Sequence, residues 1–224
     1  MNRAADRPVV HVNCAVSADG RLAYADGRRA RLSGPEDLAR VQALRAECEA
    51  ILVGAGTVRL DDPSLRVHWD LLHRSPGRDP LRVILDSQGR TPEKAQVLDG
   101  RRRTLVATAK GCLRKFPASV DVFAAGEDRV DLPALLHELG RRGISKLLVE
   151  GGAEVIASFL RGRLTDRLTV YVAPVLIGGT SAPPMMRGPE TQDEGETVAL
   201  SLTSSERLGP GLLLTWDPKG DPAR

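Results

Sequence analysis

The chain has 224 residues, 42% hydrophobic and 27% charged, a balance that suits a soluble globular protein large enough to bury a full core. Its 32 basic and 29 acidic residues leave a net charge of +3, and the arginines are scattered, so the charge fits a small anionic ligand as well as a polyanion. Two Trp, two Tyr and three Phe, none interleaved with a basic patch, argue against a nucleic-acid partner that needs stacking platforms. Cys14, Cys48 and Cys112 form no CxxC, and the four histidines lack ligand spacing. Neither a disulfide framework nor a metal site is expected, and a reducing cytoplasm is the expected compartment. No apolar run approaches the ~18 residues of a membrane span, and no signal-peptide core follows Met1–Arg7.

In chain order, VVHVNCAVS (9–17) reads as a buried strand closed by the turn Asp19-Gly20. Ser33 to Glu36 reads as a capping box opening a helix, with Leu38, Val41, Leu44 and Arg45 at helical spacing and an end near Cys48. AILVG (50–54), LRVILD (81–86), TLVAT (104–108) and VDVFAA (120–125) are short apolar runs of the kind buried on both faces of a parallel sheet. DLPALLHELGRRG (131–143) is an amphipathic helix with Asp131 as N-cap and Gly143 near its end. KLLVE (146–150), a Gly-Gly turn, AEVIASFL and DRLTVYVAPVL (166–176) make a strand–helix–strand unit. GGTSAPPMMRGPETQDEGE (178–196) is a surface loop, and SLTSSERL and LLLTW, joined by Gly209-Pro210-Gly211, form an antiparallel hairpin at a sheet edge. The expected architecture is one α/β domain over residues 8–218, mainly parallel with an antiparallel C-terminal end, residues 1–7 and 219–224 being flexible termini.

Ligands of such sheets bind beyond the carboxyl ends of the strands, where Gly54, Asp86, Thr108 and Glu150 fall. Gly151-Gly152 opens a helix, so free N–H groups and a positive dipole end could receive an anion there; the same pair also serves as a simple corner. In GAGTVRLDDPSL (54–65), Thr57 offers a hydroxyl and Asp61 a carboxylate that contacts a sugar, an amide or a reacting group. Asp61-Asp62-Pro63 reads equally as a turn. In DSQGRTP (86–92), Asp86, Ser87 and Arg90 form either a turn or a contact to an adenosine ribose or its 2′-phosphate.

These stretches in this order, with SADGRLA (17–23), LRAECEAILVGAGTV (44–58) and DRLTVYVAPVLIGG (166–179), resemble the pyrimidine reductases of riboflavin biosynthesis. Those enzymes are the free-standing counterparts of the reductase half of a bifunctional deaminase-reductase, and the likeness runs from about Val9 to Trp216. The resemblance implies a dihydrofolate-reductase-like fold with helices on both sheet faces, NADPH as cofactor, a homodimer, and a phosphorylated pyrimidine whose ribosyl group is reduced to ribityl. By position it places Ala15, Gly54, Thr57, Asp61, Ser87, Arg90, Thr108 and the stretch Gly151, Gly152, Ala153, Glu154 and Val155 on the cofactor. Asn13, Arg45, Leu65, His68 and Glu150 fall on the substrate, with Arg66 near His68 as a further phosphate contact. Asp61 is the candidate to supply or organise the proton that opens the ribosyl ring.

Asn13 and Arg31 stand where the bifunctional enzymes carry lysine and tryptophan. That departure favours the free-standing type and the still-aminated 2,5-diaminopyrimidinone, since an amide can donate and accept toward the pyrimidine edge whereas an ammonium only donates. The deaminated uracil, another pterin or pyrimidine, and a nucleotide-binding module without turnover are the competing readings.

Overall fold

A computed structural model describes residues 7–219. Most of the termini expected to be flexible lie outside the described residues; of those inside, Lys219 donates its backbone N–H to Ala199 O. The strands, in hydrogen-bonded order, run β5-β4-β3-β2-β6-β1-β7-β9-β8, with β1 at Val9–Ser17, β2 at Ala50–Gly54, β3 at Leu81–Leu85, β4 at Thr104–Thr108, β5 at Asp121–Ala124, β6 at Lys146–Gly151, β7 at Arg167–Ala173, β8 at Leu200–Leu208 and β9 at Gly211–Pro218. Helices α1 (Pro35–Glu47), α2 (Ala55–Asp61), α3 (Leu132–Arg141) and α4 (Ala153–Arg161) connect them. The chain's contacts fall into two compact units: Val41–Leu148 with the start of the chain through Val9, and Val10–Arg40 with Val149 onward. The chain passes from one to the other and back, so neither is a continuous segment joined by a linker.

In the first unit β2, β3, β4 and β5 pair parallel in sequence order. Every residue of β2 and β4 is buried, as their unbroken apolar runs require of strands covered on both faces. Ile51, Val53, Ile84 and Val106 meet Val58 of α2, Leu65 and Val97 in one core, each side chain contributing about 1.5–3 kcal/mol by leaving water. One member of the apolar run is not apolar. Arg82 on β3 is fully buried and is satisfied by Thr104 Oγ1 at 2.8 Å, Gln96 O at 3.0 Å, Asp99 Oδ1 at 3.0 Å and Arg102 O at 2.9 Å. It thereby pins the segment between β3 and β4. Helix α3 follows its sequence pattern: Asp131 caps Ala134 N at 3.0 Å and Gly143 takes a φ of +78° just past the end.

In the second unit β1 pairs parallel with β7, and β7 pairs antiparallel with β9, which carries β8. The C-terminal hairpin is as expected. Gly211 starts β9 against Tyr171: a Cβ there would come within 2.5 Å of the Tyr171 ring and 2.6 Å of Val172 O, so only glycine permits the approach. Two expectations change. Helix α1 begins at Pro35, two residues past Ser33, whose hydroxyl donates to Asp37 Oδ2 at 2.5 Å. Strand β7 stops at Ala173, before Pro174, rather than running on to Leu176, and lies between β1 and β9. The exposed edge is β8, which is solvent-facing over nearly all of its length.

His11 of β1 lies 2.6 Å from Thr169 Oγ1. Burial first, then Arg167 and Arg40, lower its pKa from 6.5 to about 4. The unfolded chain therefore binds the extra proton between those values, so stability is full above pH 6.5 and is lost as pH falls toward 4. Urea unfolding at stepped pH checks this. We expect wild type to lose about 1–3 kcal/mol across the window and His11→Gln to lose correspondingly less.

Candidate active site

The carboxyl ends of the strands in the first unit carry Gly54, Asp86 and Thr108. Gly54 ends β2 and is the N-cap of α2; Thr108, 2% exposed, ends β4. Thr57 is half-buried in the first turn of α2, and Asp61, at its last residue, is exposed to solvent. Its neighbour Asp62 is the structural acid of the pair. It takes the left-handed conformation that ends the helix (φ 39°) and accepts Gln96 N at 2.8 Å, while its carbonyl accepts Gln96 Nε2 at 2.7 Å. Leu65 also has a left-handed φ of 49° and is 1% exposed, its side chain within the core. What Leu65 can offer a ligand is therefore its backbone, held in a conformation that costs a non-glycine residue of order 1–3 kcal/mol.

The basic residues of the first unit come together. Arg45, in the last turn of α1, donates from Nη1 to Arg66 O at 3.0 Å, Arg66 Nη2 lies 3.4 Å from His68 Nδ1, and His68 N donates to Gln42 Oε1 at 2.8 Å. Arg66 and His68 line, with Arg101, Arg102, Asp79 and Asp99, a polar depression of about 390 Å³ in which Arg102 is already paired with Asp79. At the end of β3, Asp86 is 2% exposed and accepts Arg90 N at 2.7 Å and Thr91 N at 2.8 Å. Its carboxylate builds the DSQGRT turn, leaving the turn's surface to Ser87 and Arg90. Ser87 Oγ accepts Val130 N at 3.1 Å, which leaves its hydroxyl proton to donate, and the Arg90 side chain is exposed. Arg114 braces the turn from beneath through Gly89 O and Thr91 O.

The second unit contributes the Gly-Gly turn. Gly151 and Gly152 take φ of +112° and +23°, angles that a side chain would strain. Helix α4, nine residues long, then starts with no side chain capping its first turn, whereas α3 fills the same place with a carboxylate. The backbone donors at Ala153, Glu154 and Val155 thus open toward an anion, with Val155 buried and Glu154 exposed. This glycine-lined, uncapped helix start fits a dinucleotide pyrophosphate. Glu150 precedes it on β6, half-buried, while Ala15 on β1 is half-buried opposite Tyr171 and Asn13 is 5% exposed. Cys14 beside them is pushed up to about 12 by burial, so it remains a neutral thiol without nucleophilic character.

One residue that the sequence reading treated only as a turn has a wider part. Asp19 accepts Ser17 Oγ at 2.6 Å, Ile177 N at 3.0 Å and Gly178 N at 2.7 Å, and these bonds hold its carboxyl down to about 2. With Leu22 N on Pro183 O, Met185 N on Gly20 O and Arg187 N on Ala153 O, they tie the SADGRLA turn to the long loop and the loop to the first residue of α4. Beyond it, Arg161 reaches Pro189 O and Thr191 Oγ1, so the loop follows one side of the helix. The composition of the loop gives no hint of this, because its partners lie on the turn after β1 and on α4, none of them adjacent in sequence.

Residues 8–214 match the family described as the RibD C-terminal domain. The chain is 38% identical over 218 residues to the 2,5-diamino-6-ribosylamino-4(3H)-pyrimidinone 5′-phosphate reductase of Methanothermobacter thermautotrophicus, covering 96% of this chain and 100% of that one. It is also 38% identical to the protein of the same name from Archaeoglobus fulgidus, covering 93% and 97%. Among solved structures, the diaminohydroxyphosphoribosylaminopyrimidine deaminase/5-amino-6-(5-phosphoribosylamino)uracil reductase of Thermotoga maritima superposes with a TM-score of 0.81 at 26% identity, over 95% of this chain and 57% of that longer one.

Proposed function

The chain belongs to the RibD C-terminal domain family, and we propose that it reduces the ribosyl group of 2,5-diamino-6-ribosylamino-4(3H)-pyrimidinone 5′-phosphate to the ribityl form with NADPH. It is a reductase of riboflavin biosynthesis with the family's dihydrofolate-reductase-like α/β fold. The observation that carries the substrate is the match, from end to end, to free-standing relatives of that name. No described helix is long and apolar enough to cross a membrane.

NADPH, when bound, supplies the hydride. The chain's own groups then have distinct tasks. The N–H groups of Ala153 to Val155 hold the pyrophosphate, Gly151 and Gly152 let it approach the backbone, and Thr57, Ser87 and Arg90 hold the rest of the cofactor, Arg90 with the 2′-phosphate. Arg45, Arg66 and His68 neutralise the substrate phosphate. Glu150 accepts hydrogen bonds from the substrate, and Asn13 bonds to its pyrimidine. Asp61 supplies or organises the proton that reaches the ribosyl ring oxygen as the C1′–O bond breaks, which leaves an electrophilic carbon–nitrogen double bond at C1′. The exposed edge of β8, with Leu202 at 57% and Leu212 at 49% exposure nearby, supports a homodimer, since a bare edge of this length invites pairing.

Two substitutions test the assignments. Asp61→Asn should lower kcat by about 10²–10⁴ while NADPH affinity holds; an unchanged kcat removes Asp61 from the proton step. Arg90→Ala should erase much of the preference for NADPH over NADH, measured as the ratio of kcat/KM for the two cofactors, and an unchanged ratio assigns the 2′-phosphate to another group.

A further inference from the structure

Asn13 is almost wholly buried, and one hydrogen bond fixes which way its amide is turned. Arg40 Nη2 donates to Asn13 Oδ1 over 2.9 Å. A guanidinium has donors and no acceptor, so the atom facing it must be the amide oxygen; the flipped amide would set one donor against another. Arg40 is itself held in place. Its Nε and Nη2 lie 2.8 and 2.7 Å from Asp37 Oδ1, and Asp37, 1% exposed, receives the Ser33 hydroxyl on its other oxygen. Ser33, Asp37 and Arg40 thus form a partly buried relay that ends on the oxygen of Asn13. Its Nδ2 has no hydrogen-bond partner among the described residues. With its oxygen turned to Arg40, the amide presents its NH₂ donor on the side away from Arg40.

This bears directly on the expectation that an amide at position 13 both donates to and accepts from the pyrimidine edge. The accepting oxygen is turned to Arg40 and one of its lone pairs is taken, so the donating half is what faces away from Arg40. Resting on the reading of Asn13 as a substrate-side residue, we propose that Arg40 is a positioning residue for substrate recognition. It holds Asn13 as a one-sided donor, so the pyrimidine group against Asn13 is an acceptor, a ring carbonyl oxygen or an unprotonated ring nitrogen, and not the 2-amino group. The aminated pyrimidinone offers both kinds of acceptor, and its 2-amino group must be received by another side chain, for which a carboxylate has the right polarity. Arg40 touches neither substrate nor cofactor in this account; it acts through Asn13.

The test compares the full-length wild type with Asn13→Asp, Arg40→Met and Arg40→Lys. It reads kcat and KM for the aminated pyrimidine phosphate, Kd for NADPH, and the calorimetric Kd of the ribitylaminopyrimidine phosphate product. Asn13→Asp keeps the bond to Arg40 but turns the outward donor into an acceptor. It should raise the pyrimidine KM and the product Kd about tenfold or more, with NADPH Kd unchanged. Arg40→Met frees the amide to turn and should raise the same two values by roughly three- to tenfold. Arg40→Lys, which still donates to Oδ1, should recover most of the loss; a purely packing role for Arg40 would not give recovery confined to the pyrimidine. If the Arg40 variants fail to fold, Asn13→Asp decides alone, because it retains Arg40. Wild-type pyrimidine KM and product Kd in Asn13→Asp would overturn the inference while leaving the functional reading intact. A wild type that neither reduces nor binds the pyrimidine would overturn that reading itself.

Discussion

A parallel strand buried on both faces has no side chain free along its length, and this constraint organises the protein. In β2 and β4 every residue is spent on the core, so chemistry is confined to the ends of the strands and the turns that follow. Gly54 and Thr57 follow β2, Asp86 to Arg90 follow β3, Thr108 closes β4, and Glu150 with the Gly-Gly turn closes β6. The packing of these strands fixes the turns that follow them.

Three polar groups that enter the interior are held by several partners and do positioning work. Arg82 has four partners and fixes the approach to β4. Breaking such a buried cluster by removing one member typically costs about 3–5 kcal/mol, because the remaining charge is left unmatched. Asp86 spends both oxygens on the backbone of its own turn, and Asp37 divides its oxygens between Ser33 and Arg40. Each sits behind a residue assigned to ligand contact: Asp86 behind Ser87 and Arg90, Asp37 behind Asn13. The residues assigned to ligand contact are held by neighbours that have no such assignment.

Much of the fold was legible in the sequence, since unbroken apolar runs bounded by turns report buried parallel strands, and Asp131, Pro133 and Gly143 punctuate α3 as capping physics requires. What the sequence did not show are mostly bonds to partners distant along the chain. Arg82 sits within an apolar run, and its partners come from the segment after β3. Asp19 reads as a turn residue until residues 177 and 178 arrive. The site itself was legible only through resemblance. Composition and spacing mark Gly151-Gly152 and DSQGRT as candidates, but they do not reveal that Arg45 meets Arg66 or that Arg40 occupies the oxygen of Asn13.

The central claim is that these turns serve hydride delivery to the ribosyl carbon of a phosphorylated pyrimidine. The most direct measurement is single-turnover reaction of the wild-type chain with NADPH deuterated on one face of C4, followed by mass spectrometry and NMR of the pyrimidine product. The account predicts one deuterium, located at C1′ of a newly formed ribityl chain, from one face of the cofactor only. A product without label, or label at a ring carbon of the pyrimidine, would contradict it.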